Sequence, residues 1–129
     1  MKTVTAKYAP TAIGPYSQAT IINNILYCSG QIPIDPTTGE IQTKDISGQT
    51  EQVIMNIQAI LDEVGIHFDS VFKTTCYLTD MCNFTEFNRV YEKYFISKPS
   101  RSCIAVNELP RQALIEIEVT AYIPQQPLL

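Results

Sequence analysis

Ile115-Glu116-Ile117-Glu118-Val119-Thr120-Ala121-Tyr122-Ile123 alternates apolar and polar residues without a break. In an extended chain Ile115, Ile117, Val119, Ala121 and Ile123 share one side. Glu116, Glu118, Thr120 and Tyr122 share the other. The period of two predicts a strand over residues 114–123 with one face on a core and the other face polar. A second strand is expected from Val71 to Thr79, where Val71, Lys73, Thr75 and Tyr77 alternate with Phe72, Thr74, Cys76 and Leu78. Ile25 to Ser29 is β-prone and stops at Gly30, and Cys103 to Val106 forms a further short strand. Between these runs the period changes. Val53, Ile57, Ile60, Leu61 and Val64 recur on one helical face, which predicts a helix from about Ser47 to Val64 with Gly65 as its C-terminal cap. A second helix begins near Asn83. There Asn83 and Glu86 have capping-box spacing, and Phe84, Phe87, Asn88, Tyr91, Tyr94 and Phe95 form one stripe, ended by Pro99. The order β-β-α-β-α-β-β gives an α+β fold with helices packed on one face of a sheet. Residues 10–18 are a loop and residues 35–39 a turn.

Composition sets the limits. A chain of 129 residues fits one domain, taken as residues 1–129, and 45% hydrophobic residues suffice for a core without a metal or disulfide staple. Charged residues are only 17%, which leaves apolar surface to cover and hints at self-association. The net charge of −4 and nine unclustered Lys and Arg argue against nucleic acid or an anionic membrane as partner. No apolar run approaches the ~20 residues of a membrane span, and the first residues lack a signal-peptide hydrophobic region, so a cytoplasmic location is expected. Cys28, Cys76, Cys82 and Cys103 include no CxxC pair and the chain has one histidine, His67, so no zinc site is expected. The cysteines read as free thiols buried in strands. No phosphate-cradling glycine motif occurs, and no cofactor is implied.

Several residues have two readings. Asn88 is either a core amide or a polar group set into an apolar wall. Glu116 and Glu118 are either a solvated strand face or, if one is enclosed, a general acid or base. Arg101 is either a surface charge or a fork that holds a carboxylate in two-point fashion. Cys103, two residues on, shares its side; there it is either a buried small hydrophobe or a thiol activated by the guanidinium. Gly14-Pro15-Tyr16 and Ser29-Gly30-Gln31 could each be simple turns. His67 has no acidic partner in register and reads as a surface-loop residue.

In order along the chain stand Ala12-Ile13-Gly14-Pro15-Tyr16-Ser17-Gln18-Ala19, Ser29-Gly30-Gln31-Ile32-Pro33, Pro99-Ser100-Arg101-Ser102-Cys103, Leu109-Pro110 and Ile115-Glu116-Ile117-Glu118. Together they resemble the Rid family, the YjgF-type reactive intermediate deaminases, from about Pro10 to Ala121. The resemblance implies a chorismate-mutase-like α+β fold with a mixed or antiparallel sheet, assembled as a homotrimer around a central barrel, with sites at the subunit interfaces. It implies hydrolysis of 2-imino acids, released by pyridoxal-phosphate dehydratases, to 2-keto acids and ammonia, without metal or organic cofactor. Residue by residue, Arg101 would bind the substrate carboxylate and Glu116 would position the attacking water. The Tyr16 phenol would reach toward the site. Ser29, Gly30 and Cys103 would border the substrate, and Asn88 would stand at the interface with the next subunit. The alternative is a regulatory protein that binds small carboxylic acids with little turnover. Two departures stand out: the segment from Ile96 to Ser100 is short for the family, and Ser100 replaces the commoner alanine. The tail from Pro124 to Leu129 is peculiar to this chain.

Overall fold

A computed structural model describes residues 1–125; the end of the tail lies outside the described residues. The strands are β1 (Lys2–Val4), β2 (Ala19–Ile22), β3 (Ile25–Cys28), β4 (Ile34–Asp35), β5 (Glu40–Ile41), β6 (Val71–Leu78), β7 (Ser100–Ala105) and β8 (Ile115–Tyr122). The helices are α1 (Ile46–Glu63) and α2 (Phe84–Tyr91). Six strands form one sheet in the order β1-β2-β3-β8-β6-β7. All neighbours in it are antiparallel except β6 and β7, which α2 joins as a parallel pair. β4 and β5 form a separate small hairpin.

The alternation in β8 holds as expected. Ile115, Ile117, Val119 and Ala121 are buried, while Glu116, Glu118 and Thr120 are half-buried on the opposite face. Register carries this division across the sheet. Thr74, Cys76 and Leu78 of β6 lie opposite Val119, Ile117 and Ile115, and also beside Arg101, Cys103 and Ala105 of β7. This is the covered face, closed by Val53, Ile54, Ile57, Ile60 and Leu61 of α1 and by Phe87, Val90 and Tyr91 of α2. The open face carries Tyr77 beside Glu116, Thr75 beside Glu118, and Ile104 beside Tyr77. Ile22, Tyr27, Ile104 and Tyr122 on that face are each 46–50% exposed.

α1 starts where expected. The Asp45 side chain accepts the Gly48 N–H as its cap, and Gly65, at φ +75°, turns the chain away in the left-handed conformation that glycine adopts without strain. Asn56, inside α1 and fully buried, donates through Nδ2 to the carbonyls of Ile32 (3.1 Å) and Ile34 (2.9 Å). It ties the β4 segment to the helix.

Three expectations need correction. The second helix is shorter than the stripe suggests. After Tyr91 the backbone tightens into i→i−3 bonds at Lys93 and Tyr94, and Lys98 adopts φ +55°. Tyr94 and Phe95 still join the core through Phe68, which they meet at ring distances of 5.8 and 5.3 Å. The capping box does not form, because Asn83 is itself helical in backbone and makes no cap bond. Asp80 caps the preceding turn through the Cys82 N–H, and Glu86 pairs with Arg89 instead. Finally, only Cys28 and Cys76 are buried strand thiols; Cys82 is exposed in a turn and Cys103 is half-buried on the edge strand.

Replacing Asn56 with leucine removes the side-chain donor from both carbonyls; that of Ile32 keeps the Ile34 N–H at 2.8 Å, while the buried bond to Ile34 is lost. Asn56→Leu should lower stability by about 2 kcal/mol, read as a lower urea midpoint with an unchanged slope.

Candidate functional site

The structure gathers the candidate residues into two groups. The first lies on the covered face at the β7 edge. Its centre is the Arg101 guanidinium, 4.9 Å from the Tyr91 ring centre and 5.6 Å from those of Phe84 and Phe87. Nη1 of Arg101 donates to Asn88 Oδ1 at 2.7 Å. The Tyr91 hydroxyl is hydrogen-bonded in turn to Thr74 Oγ1 at 2.8 Å, deep under the sheet. Stacking on aromatic faces contributes roughly 0.5–2 kcal/mol per contact, depending on desolvation. Among the described residues no carboxylate pairs with Arg101; the ion pairs there are Arg89–Glu86 and Lys93–Glu51. The cation is fixed by rings and an amide, and its charge is left uncompensated.

Cys103 belongs to this group, on the same face of β7 as Arg101. Burial raises its thiol pKa, and the nearby Arg101 offsets only part of the rise. Cys76, its neighbour across β6, is pushed up to about 12, by burial first and then by Cys103. The direction of this shift runs against the activated-thiol reading of Cys103, because desolvation outweighs the guanidinium.

The second group lies on the open face. Tyr16, Ser29, Gly30 and Glu116 line one open cavity of about 550 Å³ together with Ile13, Ile32, Pro110 and Glu118. Glu116 comes from β8. The Ser29–Gly30 turn is pinned beside it by Gln31, whose N–H donates to the Ile117 carbonyl at 2.8 Å and whose carbonyl accepts the Ile117 N–H at 3.1 Å. Ser29 Oγ donates to the Ser17 carbonyl at 2.6 Å and its N–H to that of Gln18. Gln18, buried, bonds the backbone of Ala6, Ala9 and Pro10, so the loop bearing Tyr16 is stapled to the same corner. Tyr16 is 51% exposed, and its hydroxyl accepts the Ile13 N–H at 3.3 Å. A Cβ on Gly30 would overlap the Glu116 carboxyl group, so it is the glycine that lets this carboxyl lie against the turn. The Glu116 carboxyl is raised above the usual range, by burial first and by the Glu118 charge second.

Within one chain the two groups do not meet. Arg101 shares the face of Thr74 and Val119, whereas Glu116 shares the face of Tyr77. His67 is exposed beside a short turn, in keeping with the surface-loop reading. A larger cavity, about 620 Å³ between Lys7, Tyr8 and the outer side of α1, contains none of the candidate residues. Sequence reading missed the rings as a cradle. It identified Phe84, Phe87 and Tyr91 as an apolar stripe, and only the β6–β7 register brings Arg101 over them. It also missed Ile13, Ile32 and Pro110, the apolar wall of the cavity.

The sequence profile of the endoribonuclease L-PSP family matches residues 6–123. The chain is 51% identical over 122 residues to the candidate regulator AldR of Lactococcus lactis, covering 94% of this chain and 97% of that protein. It superposes on the YjgF gene product of E. coli with a TM-score of 0.89 at 37% identity, over 95% of this chain and 98% of that one. E. coli TdcF, solved with bound serine, gives a TM-score of 0.91 at 35% identity, over 96% of this chain and 100% of that one. No helix among the described residues is long and apolar enough to cross a membrane.

Two outcomes are expected. Ellman's reagent should modify exposed Cys82 readily, while Cys28 and Cys76, both with pKa values of about 12, react only on unfolding; rapid loss of three thiols from native protein would contradict the burial described. Gly30→Ala should keep the fold, because the overlapped atoms are the mobile end of Glu116, yet move that carboxyl out of the cavity in a crystal structure of the variant.

Proposed function

We propose that this chain, which belongs to the endoribonuclease L-PSP family, hydrolyses small 2-imino acids to 2-keto acids and ammonia. The observation that carries the reading is Arg101: a guanidinium held by three rings and Asn88, with no acidic partner among the described residues. Such a fixed, uncompensated fork is suited to a carboxylate ligand, and a charge-assisted contact of this kind contributes roughly 1.5–3 kcal/mol. A 2-imino acid supplies that carboxylate next to its reacting carbon.

The second half of the machinery is the cavity with Glu116 and Tyr16. A carboxyl raised above its usual range beside an open cavity can hold a water and exchange a proton with it. The water oxygen bonds to the imine carbon, and the C=N electron pair moves to nitrogen, which takes a proton. The resulting carbinolamine loses ammonia as its C–N bond breaks and the hydroxyl oxygen, giving up its proton, becomes the keto oxygen. Glu116 or the Tyr16 phenol carries these protons. Imines hydrolyse unaided in water, so orientation supplies much of the gain. Ser29, Gly30 and the Cys103 backbone border the substrate. The small molecules bound are 2-imino and 2-keto acids, with no organic cofactor or metal.

Because Arg101 and Glu116 lie on opposite faces of one sheet, a complete site needs a second copy. In the proposed homotrimer the open faces line a central barrel, and the exposed Ile22, Tyr27, Ile104 and Tyr122 become interior. Each cleft then takes Arg101 and Asn88 from one subunit and Glu116 and Tyr16 from the next.

A binding protein with little turnover is the second reading. Two relatives favour it: one named as a candidate regulator, and one solved with bound serine. RNA cleavage has less support, since a net charge of −4 without clustered cations offers little to phosphates.

The test generates imine with a threonine or serine dehydratase in the presence of semicarbazide and measures semicarbazone. The wild-type protein should suppress it, and Arg101→Ala should lose about 10- to 100-fold in kcat/KM while remaining folded. An unaffected Arg101→Ala variant would remove the assignment. A wild-type protein that binds 2-keto acids yet hydrolyses no imine would establish the binding reading instead.

A further inference from the structure

Glu116 has an acidic neighbour that the proposed mechanism does not use. Glu118 lies two residues along β8 on the same open face, about 7 Å away at the rise of an extended chain. The two carboxyls line the same cavity but are not equivalent. Glu118 Oε1 accepts the Tyr77 hydroxyl at 3.2 Å, whereas no hydrogen bond to the Glu116 side chain is present among the described residues. Tyr77 itself is fixed by register. Its residue faces Glu116 across β6–β8 and Ile104 across β6–β7, so its phenol reaches along the sheet to the next carboxyl of the same face.

We infer that Glu118, engaged by the Tyr77 phenol, is the positioning residue that makes Glu116 the carboxyl of this pair that carries and exchanges the proton. Two nearby carboxylates resist ionising together, and the proton stays on the one whose anion is less well solvated. Glu118 already accepts the Tyr77 hydroxyl, whereas Glu116 accepts no hydrogen bond among the described residues, so Glu116 is the carboxyl left free to hold and exchange a proton. The direction of the Glu116 shift agrees, with burial as its larger cause and the Glu118 charge as the other. The Tyr77 phenol is pushed up, by burial first and then by the Glu118 charge, so it stays a donor over the working range.

The surrounding groups leave this asymmetry intact. On β6 the open face adds Lys73, opposite Thr120 and so one step beyond Glu118. On β3 it adds Tyr27, also opposite Thr120. The loop contributes Tyr16, and the remaining cavity residues, Ile13, Ser29, Gly30, Ile32 and Pro110, carry no charge. In the proposed trimer a neighbour's Arg101 would act on both carboxyls, while the Tyr77 bond would still distinguish them.

The inference rests on the proposed role of Glu116, but its test needs no turnover. Glutamate carboxyl carbons labelled with 13C are titrated by NMR in the intact, unliganded protein, with Glu116→Gln and Glu118→Gln to assign the two signals. In Glu118→Gln the Glu116 midpoint should fall by roughly half a pH unit or more. In Tyr77→Phe, which keeps the ring, the Glu116 midpoint should fall. The basic limb of imine hydrolysis against pH should shift with the Glu116 midpoint, a readout that a merely structural role would not move. An unmoved Glu116 midpoint in folded Glu118→Gln overturns the inference, whether or not imines are hydrolysed. If Glu118→Gln does not fold, Tyr77→Phe decides alone: an unchanged Glu116 midpoint overturns it.

Discussion

The strict alternation of β8 is the constraint on which the rest depends. Its isoleucines and valine must face the helices, with Ala121 beside them, because each buried isoleucine or valine side chain contributes roughly 1.5–3 kcal/mol. A slip of one residue would turn all of them outward and bury the two glutamates. Register then passes outward from β8 to β6, and from β6 to β7. Arg101 is thereby assigned to the helix side and Glu116 to the open side. The apolar core and the chemistry are set by the same ladder of backbone bonds.

The arginine cradle shows how a core can serve a surface charge. Phe87 and Tyr91 are core residues by burial, yet their ring faces also meet a cation at the edge of the sheet. The bond between Thr74 and Tyr91 fixes one ring from beneath. A long side chain such as arginine loses up to ~2 kcal/mol of rotamer entropy when immobilised. Here that cost is met during folding, before any ligand arrives, which is the physical content of preorganisation.

Much of this was legible in the sequence, and the gaps have physical causes. Periodicity located α1, β6 and β8 to within a residue or two, because each spans eight or more residues and buries one face. β1 and β4 escaped because three- and two-residue strands are too short to show a period. β2 had a readable signal that was passed over: Asn23 and Asn24, at φ +51° and +63°, form a two-residue hairpin turn between β2 and β3. The length of α2 was overestimated because Tyr94 and Phe95 continue the stripe after the helix has ended. Resemblance named Arg101, Asn88, Glu116 and Tyr16 as site residues, but no pattern in one chain reports that a strand register divides them between two faces. The Tyr77–Glu118 bond was invisible for a related reason: its residues are 41 apart in sequence.

The placement of Arg101 and Glu116 on opposite faces of one sheet has a consequence for inheritance. If neighbouring subunits complete each cleft, a chain defective in its arginine and a chain defective in its glutamate each retain the half that the other lacks. Any ring built from both kinds contains one junction where an intact arginine meets an intact glutamate. Two alleles that are each inactive alone would then complement one another in the same cell, whereas two lesions in the same half would not. The pattern of complementation between point mutants would trace the boundary between the halves without a crystal.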